Sequence, residues 1–171
     1  IKGNKYEGHS FINDAIKKGA KIIIHEKKYN GIKNNVLFLY SKNVRKKLAE
    51  VSFQINKSIP KNLIAVTGTN GKSSVADFYF QILKLNNIKV ASIGTLGVKK
   101  NNSLFKLPNT TIDPLSLSQI LKNLKKQKID NVILEASSQG LVQNRLDGLK
   151  FEAGIFTNLS HDHLDYHKTM K

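Results

Sequence analysis

The chain has 171 residues, 40% of them hydrophobic, with a formal net charge of +16 and no cysteine. That length suits one ordinary domain or two small ones. No apolar run approaches a membrane span, and the lack of Cys excludes disulfides, thiol catalysis and Cys-ligated zinc. The start, Ile1-Lys2-Gly3-Asn4, is polar, shows no signal-peptide pattern and lacks an initiator Met, so a fragment is expected. A turn-like stretch over residues 2–8 leads to a helix capped by Ser10, with Phe11, Ile12, Ala15 and Ile16 on one face and Gly19 at its end. Ala20–His25 and Val36–Tyr40 read as strands, and Val44–Ile55 as an amphipathic helix. Pro60 marks a boundary. The rhythm then repeats. Strand Leu63–Val66 feeds a Gly-rich turn and a helix to about Leu85; Val90–Ile93 is a strand, and 99–106 a polar connection. Pro114 opens a helix, Asn131–Ala136 and Ala153–Thr157 are strands, and a polar cluster over 160–167 follows. Alternating strand and helix implies parallel α/β units, here residues 1–60 and 61–171, the second an incomplete doubly wound sheet.

The turn Thr67-Gly68-Thr69-Asn70-Gly71-Lys72-Ser73-Ser74 carries the most chemistry. Gly68 and Gly71 let the backbone turn tightly, so that successive N–H groups converge on phosphate oxygens. The helix behind points its positive end at the same anion. Lys72 reaches toward terminal phosphates, and the Ser73 hydroxyl suits Mg²⁺. The match is Gly-x-x-Gly-Lys-Ser, because Val66 stands where the general phosphate-loop pattern has Gly. An ordinary strand-turn-helix connection is the plainer alternative, but strand, glycines, Lys, hydroxyl and helix all fall in the required order.

Ligands of open α/β sheets bind beyond the carboxyl ends of the strands. Three polar clusters fall at such ends: this loop, Glu135–Gly140, and residues 158–163. Glu135 is the carboxylate best placed for Mg²⁺, which takes hard oxygen ligands; a hydrogen-bonded strand-end carboxylate is the alternative. His161, His163 and His167 with Asp162 and Asp165 form the densest titratable cluster, from which one His would ligate Mg²⁺ or contact phosphate. Zinc ranks below Mg²⁺ there, and Asp165 and Tyr166 read as local structure. The chain has two arginines, Arg45 and Arg145. Arg145, following Gln143, hints at a guanidinium fork for carboxylate or phosphate. Asn109-Thr110-Thr111 either caps a helix or offers hydroxyl and amide contacts to a polar substrate. The remaining positive charge is scattered Lys without clustered Arg or aromatics, so it reads as solvated surface and no nucleic-acid partner is expected. These residues alone lead to a nucleoside triphosphate, Mg²⁺ and phosphoryl transfer to an unknown acceptor.

In this order, the clusters resemble the Mur ligase family, over nearly the whole chain. The resemblance rests on Glu7-Gly8-His9-Ser10-Phe11-Ile12, Thr67–Ser74, Asn109-Thr110-Thr111 with Asp113-Pro114-Leu115, Glu135–Gln143 with Arg145, and Phe156–Leu159 with Asp162–His167. Within the family it favours the branch that adds the third peptide residue, diaminopimelate or lysine, to a peptidoglycan precursor. Sibling ligases, folylpolyglutamate synthetase and a non-catalytic nucleotide-binding fragment are the alternatives. The resemblance implies a uridine-nucleotide-binding N-terminal domain (1–60, its opening missing), a central ATP-binding domain (61–171, its end missing) and an absent amino-acid-binding domain. It implies a bacterial cytoplasmic monomer, away from membranes, acting with ATP and Mg²⁺ on UDP-MurNAc-L-Ala-D-Glu and a diamino acid. Gly68, Thr69, Asn70, Gly71, Lys72, Ser73 and Ser74 would bind ATP; Lys72, Glu135 and His163 would be catalytic; Ser73, Glu135 and His163 would hold the metal. Asn109, Thr110, Thr111, Ser137, Gln143 and Arg145 match contacts to the muramoyl dipeptide, and Asn4, Lys5 and Tyr6 fall where the uridine nucleotide is touched. Gln139 replaces a common His, Ser73-Ser74 replace a Thr pair, and the family's carbamylated lysine is expected after Lys171.

Overall fold

The computed structural model describes residues 7–101, 103–161, 166 and 168. Its backbone forms two compact units, one up to Leu48 and one from Ala49. The division falls ahead of Pro60 because Ala49 and Phe53 bury their side chains in the second unit's core.

The first unit holds a three-stranded sheet. Strand β1 (Ile22–His25) pairs in parallel with β3 (Val36–Tyr40), and β2 (Gly31–Lys33) joins β3 antiparallel. Ser10 is not a helix cap. It lies in a 3-10 turn, Gly8–Phe11, and its hydroxyl donates to the Glu7 carbonyl; helix α1 (Ile12–Lys17) starts only after that turn. Helix α2 is Val44–Ile55.

The second unit is built on a six-stranded sheet. Its strands are β4 (Asn62–Thr67), β5 (Val90–Gly94), β6 (Gly97–Lys100), β7 (Ser103–Phe105), β8 (Asn131–Glu135) and β9 (Ala153–Phe156). Their spatial order is β7-β6-β5-β8-β4-β9. The four strands β5, β8, β4 and β9 are parallel, and β6 and β7 extend the β5 edge as an antiparallel ribbon. The connection over 99–106 is therefore largely strand.

Both faces of the inner strands β5, β8 and β4 are covered, as their nearly continuous apolar sequences require. Helix α4 (Pro114–Lys126) lays Leu117, Leu121 and Leu124, one helical stripe, against Leu63, Ala91, Val132 and Leu134. Helix α3 (Lys72–Leu85) covers the other face, where Ala76 packs with Val66 and Ile133. Leu117, Leu121 and Leu124 are each at most 2% exposed, and burying such a side chain contributes about 1.5–3 kcal/mol. This packing holds the carboxyl ends of β5, β8, β4 and β9 side by side.

Candidate functional site

The loop between β4 and α3 depends on two glycines. Gly68 has φ +134° and Gly71 φ +85°, values a side chain resists. At Gly68 space is short as well, since a Cβ would lie 2.1 Å from the Thr157 hydroxyl oxygen. The stretch after β9 braces the loop. Asn158 accepts from the Asn70 N–H through Oδ1 at 3.0 Å and donates from Nδ2 to the Asn70 carbonyl at 3.2 Å. Thr157 Oγ1 donates to that carbonyl at 2.7 Å, and Thr69 Oγ1 accepts from the Ser160 N–H at 2.9 Å. The Lys72 ammonium curls over the loop and donates to the carbonyls of Gly68, at 2.6 Å, and Thr69, at 2.8 Å. An ammonium has three N–H donors, so one remains for an anion in the loop.

Glu135 ends β8 beside this loop, 4% exposed. A carboxylate so placed needs its oxygens satisfied, and three donors meet it. Ser73 Oγ donates to Oε2 at 2.9 Å, the Thr95 N–H donates to Oε1 at 3.1 Å, and Thr95 Oγ1 donates to Oε2 at 3.0 Å. Gly94 makes room, because a Cβ there would lie 2.1 Å from Oε1. Ser73 spends its one proton on Glu135, which leaves oxygen lone pairs for a cation. A hydroxyl oxygen and a carboxylate 2.9 Å apart are the hard donors Mg²⁺ prefers, so the residues present fit that ion.

A third layer lies behind Glu135. Thr111 is buried, and its Oγ1 donates to the Glu135 carbonyl and accepts from the Ser137 N–H, both at 2.9 Å. Thr111 does not cap α4; Asp113 does, accepting from the Ser116 N–H at 2.9 Å. Ser137 caps the short helix α5 (Ser138–Val142) by accepting from the Gly140 N–H. Arg145 donates through Nε and Nη2 to Gln143 Oε1, at 3.0 and 2.7 Å, and through Nη1 to the Thr111 carbonyl. Its fork thus stitches Gln143 to the threonine segment. Gln143 Nε2 in turn donates to the Tyr166 hydroxyl at 3.0 Å, so the Tyr166 side chain meets a residue distant in sequence.

The loop residues, Glu135, Thr110, Thr111, Ser137, Gln143 and Arg145 therefore gather at one sheet edge. Asn109 lies in the same segment, exposed. Asn4, Lys5, Tyr6 and His163 fall outside the described residues, as do Asp162, Asp165 and His167. Thr95 and Gly94 are the residues sequence reasoning missed. Their signal is the pattern that marked the other sites, a polar residue just past a buried parallel strand.

Geometry alone defines the class: an α/β domain with parallel central strands, whose Gly-rich β4–α3 loop faces a buried carboxylate at the end of the neighbouring strand. Residues 66–171 match the Mur ligase middle domain. A UDP-N-acetylmuramoyl-L-alanyl-D-glutamate–2,6-diaminopimelate ligase of Rickettsia montanensis is 44% identical over 173 residues, covering 99% of this chain and 36% of the relative. A solved diaminopimelate ligase of the same type superposes with a TM-score of 0.79 at 34% identity, covering 94% of this chain and 32% of that one. A MurF ligase from Thermotoga maritima shares the fold, with a TM-score of 0.60 at 22% identity and coverage of 99% and 36%. The chain belongs to the Mur ligase family and spans about a third of the length of the curated relatives it matches.

Proposed function

We propose that this chain is the nucleotide-binding part of an ATP-dependent ligase that adds diaminopimelate to UDP-MurNAc-L-Ala-D-Glu in peptidoglycan precursor synthesis in the bacterial cytoplasm. The observation that carries the reading is the Ser73–Glu135 contact, which joins the phosphate loop to a buried carboxylate. The diaminopimelate ligases that match along 99% of the chain support the substrate pair. The first unit, by the same resemblance, would hold the uridine nucleotide through Asn4, Lys5 and Tyr6.

In this reading the N–H groups of the loop and the start of α3 cradle the ATP phosphates. Lys72 directs its remaining donor at the transferring phosphoryl group, where charge develops. Ser73 and Glu135, together with His163, would hold Mg²⁺, which neutralises phosphate charge and orients the leaving group. The D-Glu carboxylate oxygen takes the γ-phosphoryl group and ADP leaves. The amine then attacks the acyl phosphate carbonyl, forming the amide and releasing phosphate. Asn109, Thr110, Thr111, Ser137, Gln143 and Arg145 hold the muramoyl dipeptide. Arg145 does so by fixing Gln143 and the Thr111 carbonyl.

The test uses a protein of the relatives' length carrying this sequence, incubated with ATP, Mg²⁺ and the UDP-muramoyl dipeptide. Diaminopimelate is expected to give a tripeptide product of the matching mass together with ADP. Phosphate release that ignores both acceptor and amine would contradict the assignment.

A further inference from the structure

We propose that Thr95 is a positioning residue that fixes the Glu135 carboxylate and joins the phosphate loop to the Thr110–Thr111 segment. The inference rests on the nucleotide-and-magnesium reading above. Thr95 supplies two of the three hydrogen bonds described on the Glu135 carboxylate, one from its N–H to Oε1 and one from its hydroxyl to Oε2. The third comes from Ser73, the hydroxyl proposed to face the metal. Thr95 therefore pins the carboxylate from the β5 side while Ser73 meets it from the α3 side, and rotation about the carboxyl group would break bonds on both.

The end of β5 is shaped for this. Gly94 lies so close to the Glu135 side chain that a Cβ would come within 2.1 Å of Oε1, 2.3 Å of Cδ and 2.5 Å of Cγ. No side chain fits there, and the next residue places its N–H and its hydroxyl on the same carboxylate. Thr95 itself is exposed, so it fills no core position. Its value at this place is its hydrogen bonds.

Proton counting extends the chain to the acceptor side. Thr95 Oγ1 and Thr110 Oγ1 are 3.0 Å apart. A hydroxyl carries one proton, and that of Thr95 goes to Glu135, which as a carboxylate only accepts. Thr110 must then donate to Thr95. The order Thr110, Thr95, Glu135 follows, with Ser73 donating from the other end. Thr110 is left with lone pairs only, so it offers any substrate an acceptor for an N–H or O–H group and nothing for a carboxylate oxygen.

The experiment compares the unaltered sequence, Thr95→Val and Thr95→Ser in a protein of the relatives' length. Valine keeps the shape and the N–H but loses the hydroxyl; serine keeps the hydroxyl. Mn²⁺ is titrated in the presence of ADP and followed by its paramagnetic resonance signal, with the thermal midpoint recorded for each protein. Outer partners of metal ligands shift metal affinity by about 10–100-fold. Thr95→Val is expected to weaken Mn²⁺ by about that factor with little change in thermal midpoint, and Thr95→Ser to stay within about threefold of the unaltered protein. Equal Mn²⁺ affinity in Thr95→Val, or equal loss in Thr95→Ser, would overturn the positioning role while leaving the nucleotide site in place. Failure of the unaltered protein to bind Mn²⁺ with ADP would overturn both readings.

Discussion

At the scale of single residues, the candidate site is a set of hydroxyl, carboxylate and guanidinium groups that satisfy one another. Gly94→Ala tests how tightly they are packed. The new methyl would overlap the Glu135 side chain, and overpacking of this kind costs about 1–3 kcal/mol. Chemical denaturation is expected to show that loss, with a weaker metal–nucleotide complex; an unaltered unfolding curve would contradict the contact. Arg145→Lys keeps the charge but cannot serve Gln143 Oε1 and the Thr111 carbonyl together. A lost bond to a charged group costs about 1.5–3 kcal/mol, so the KM for the muramoyl dipeptide should rise by one to two orders of magnitude. An unchanged KM would detach Arg145 from the acceptor site. The Gly-rich turn between β4 and α3 was legible because its signal is local: strand, glycines, Lys, hydroxyl and helix are consecutive. Glu135 was legible as a polar residue ending an apolar strand. Thr95 was not, because its link to Glu135 depends on β5 and β8 being neighbours, forty residues apart in sequence.

At the scale of elements, periodicity and caps located most strands and helices. The β6–β7 ribbon escaped because its strands are short and β6 ends in two lysines, a feature suited to sheet edges. One of those lysines has a defined place: Lys99 pairs with Asp77 at 2.5 Å and sits 4.6 Å from the Phe80 ring centre, tying the ribbon to α3. Pro114 opens α4 as its sequence signals, but the cap is not one of the threonines ahead of it. The structure gives that cap to Asp113, and Asp113→Ala is expected to cost about 1 kcal/mol in urea unfolding. A loss near zero would show that Pro114 alone sets the helix start. Burial pushes the Asp113 carboxyl up, but hydrogen bonds from Ser116 and its neighbours outweigh this and hold it below the usual aspartate range. The Lys125 ammonium beside Asp130 lowers that carboxyl too. For both groups the folded pKa lies below the unfolded one, so their stabilisation is present above about pH 4 and fades as pH falls through the lower folded values. Stability of the unaltered chain should therefore fall below pH 4, and Asp113→Ala should show a shallower fall.

At the scale of the whole molecule, two α/β units were readable from the alternation of strands and helices, but the strand order β5-β8-β4-β9 was not. That order brings four strand ends to one edge and turns separate motifs into one site. The sheet ends at β9, where Phe156 is 65% and Leu159 67% exposed. The 171 residues expressed alone are expected to form no amide. Ligation requires an acyl phosphate and an amine held together, and such proximity supplies about 7–11 kcal/mol of a barrier. Robust amide formation by this span would place the whole catalytic unit within it. The central claim is that the Gly68–Ser74 loop and Glu135 form the site where ATP gives up its phosphoryl group. The most direct measurement is acceptor- and amine-dependent phosphate release by a protein of the relatives' length, unaltered and as Lys72→Ala, with circular dichroism confirming that both are folded. Removing a single charge-stabilising donor costs about 10²–10³ in rate, so the Lys72→Ala protein should be folded and at least about 100-fold slower. Near-normal turnover in that variant would contradict the account.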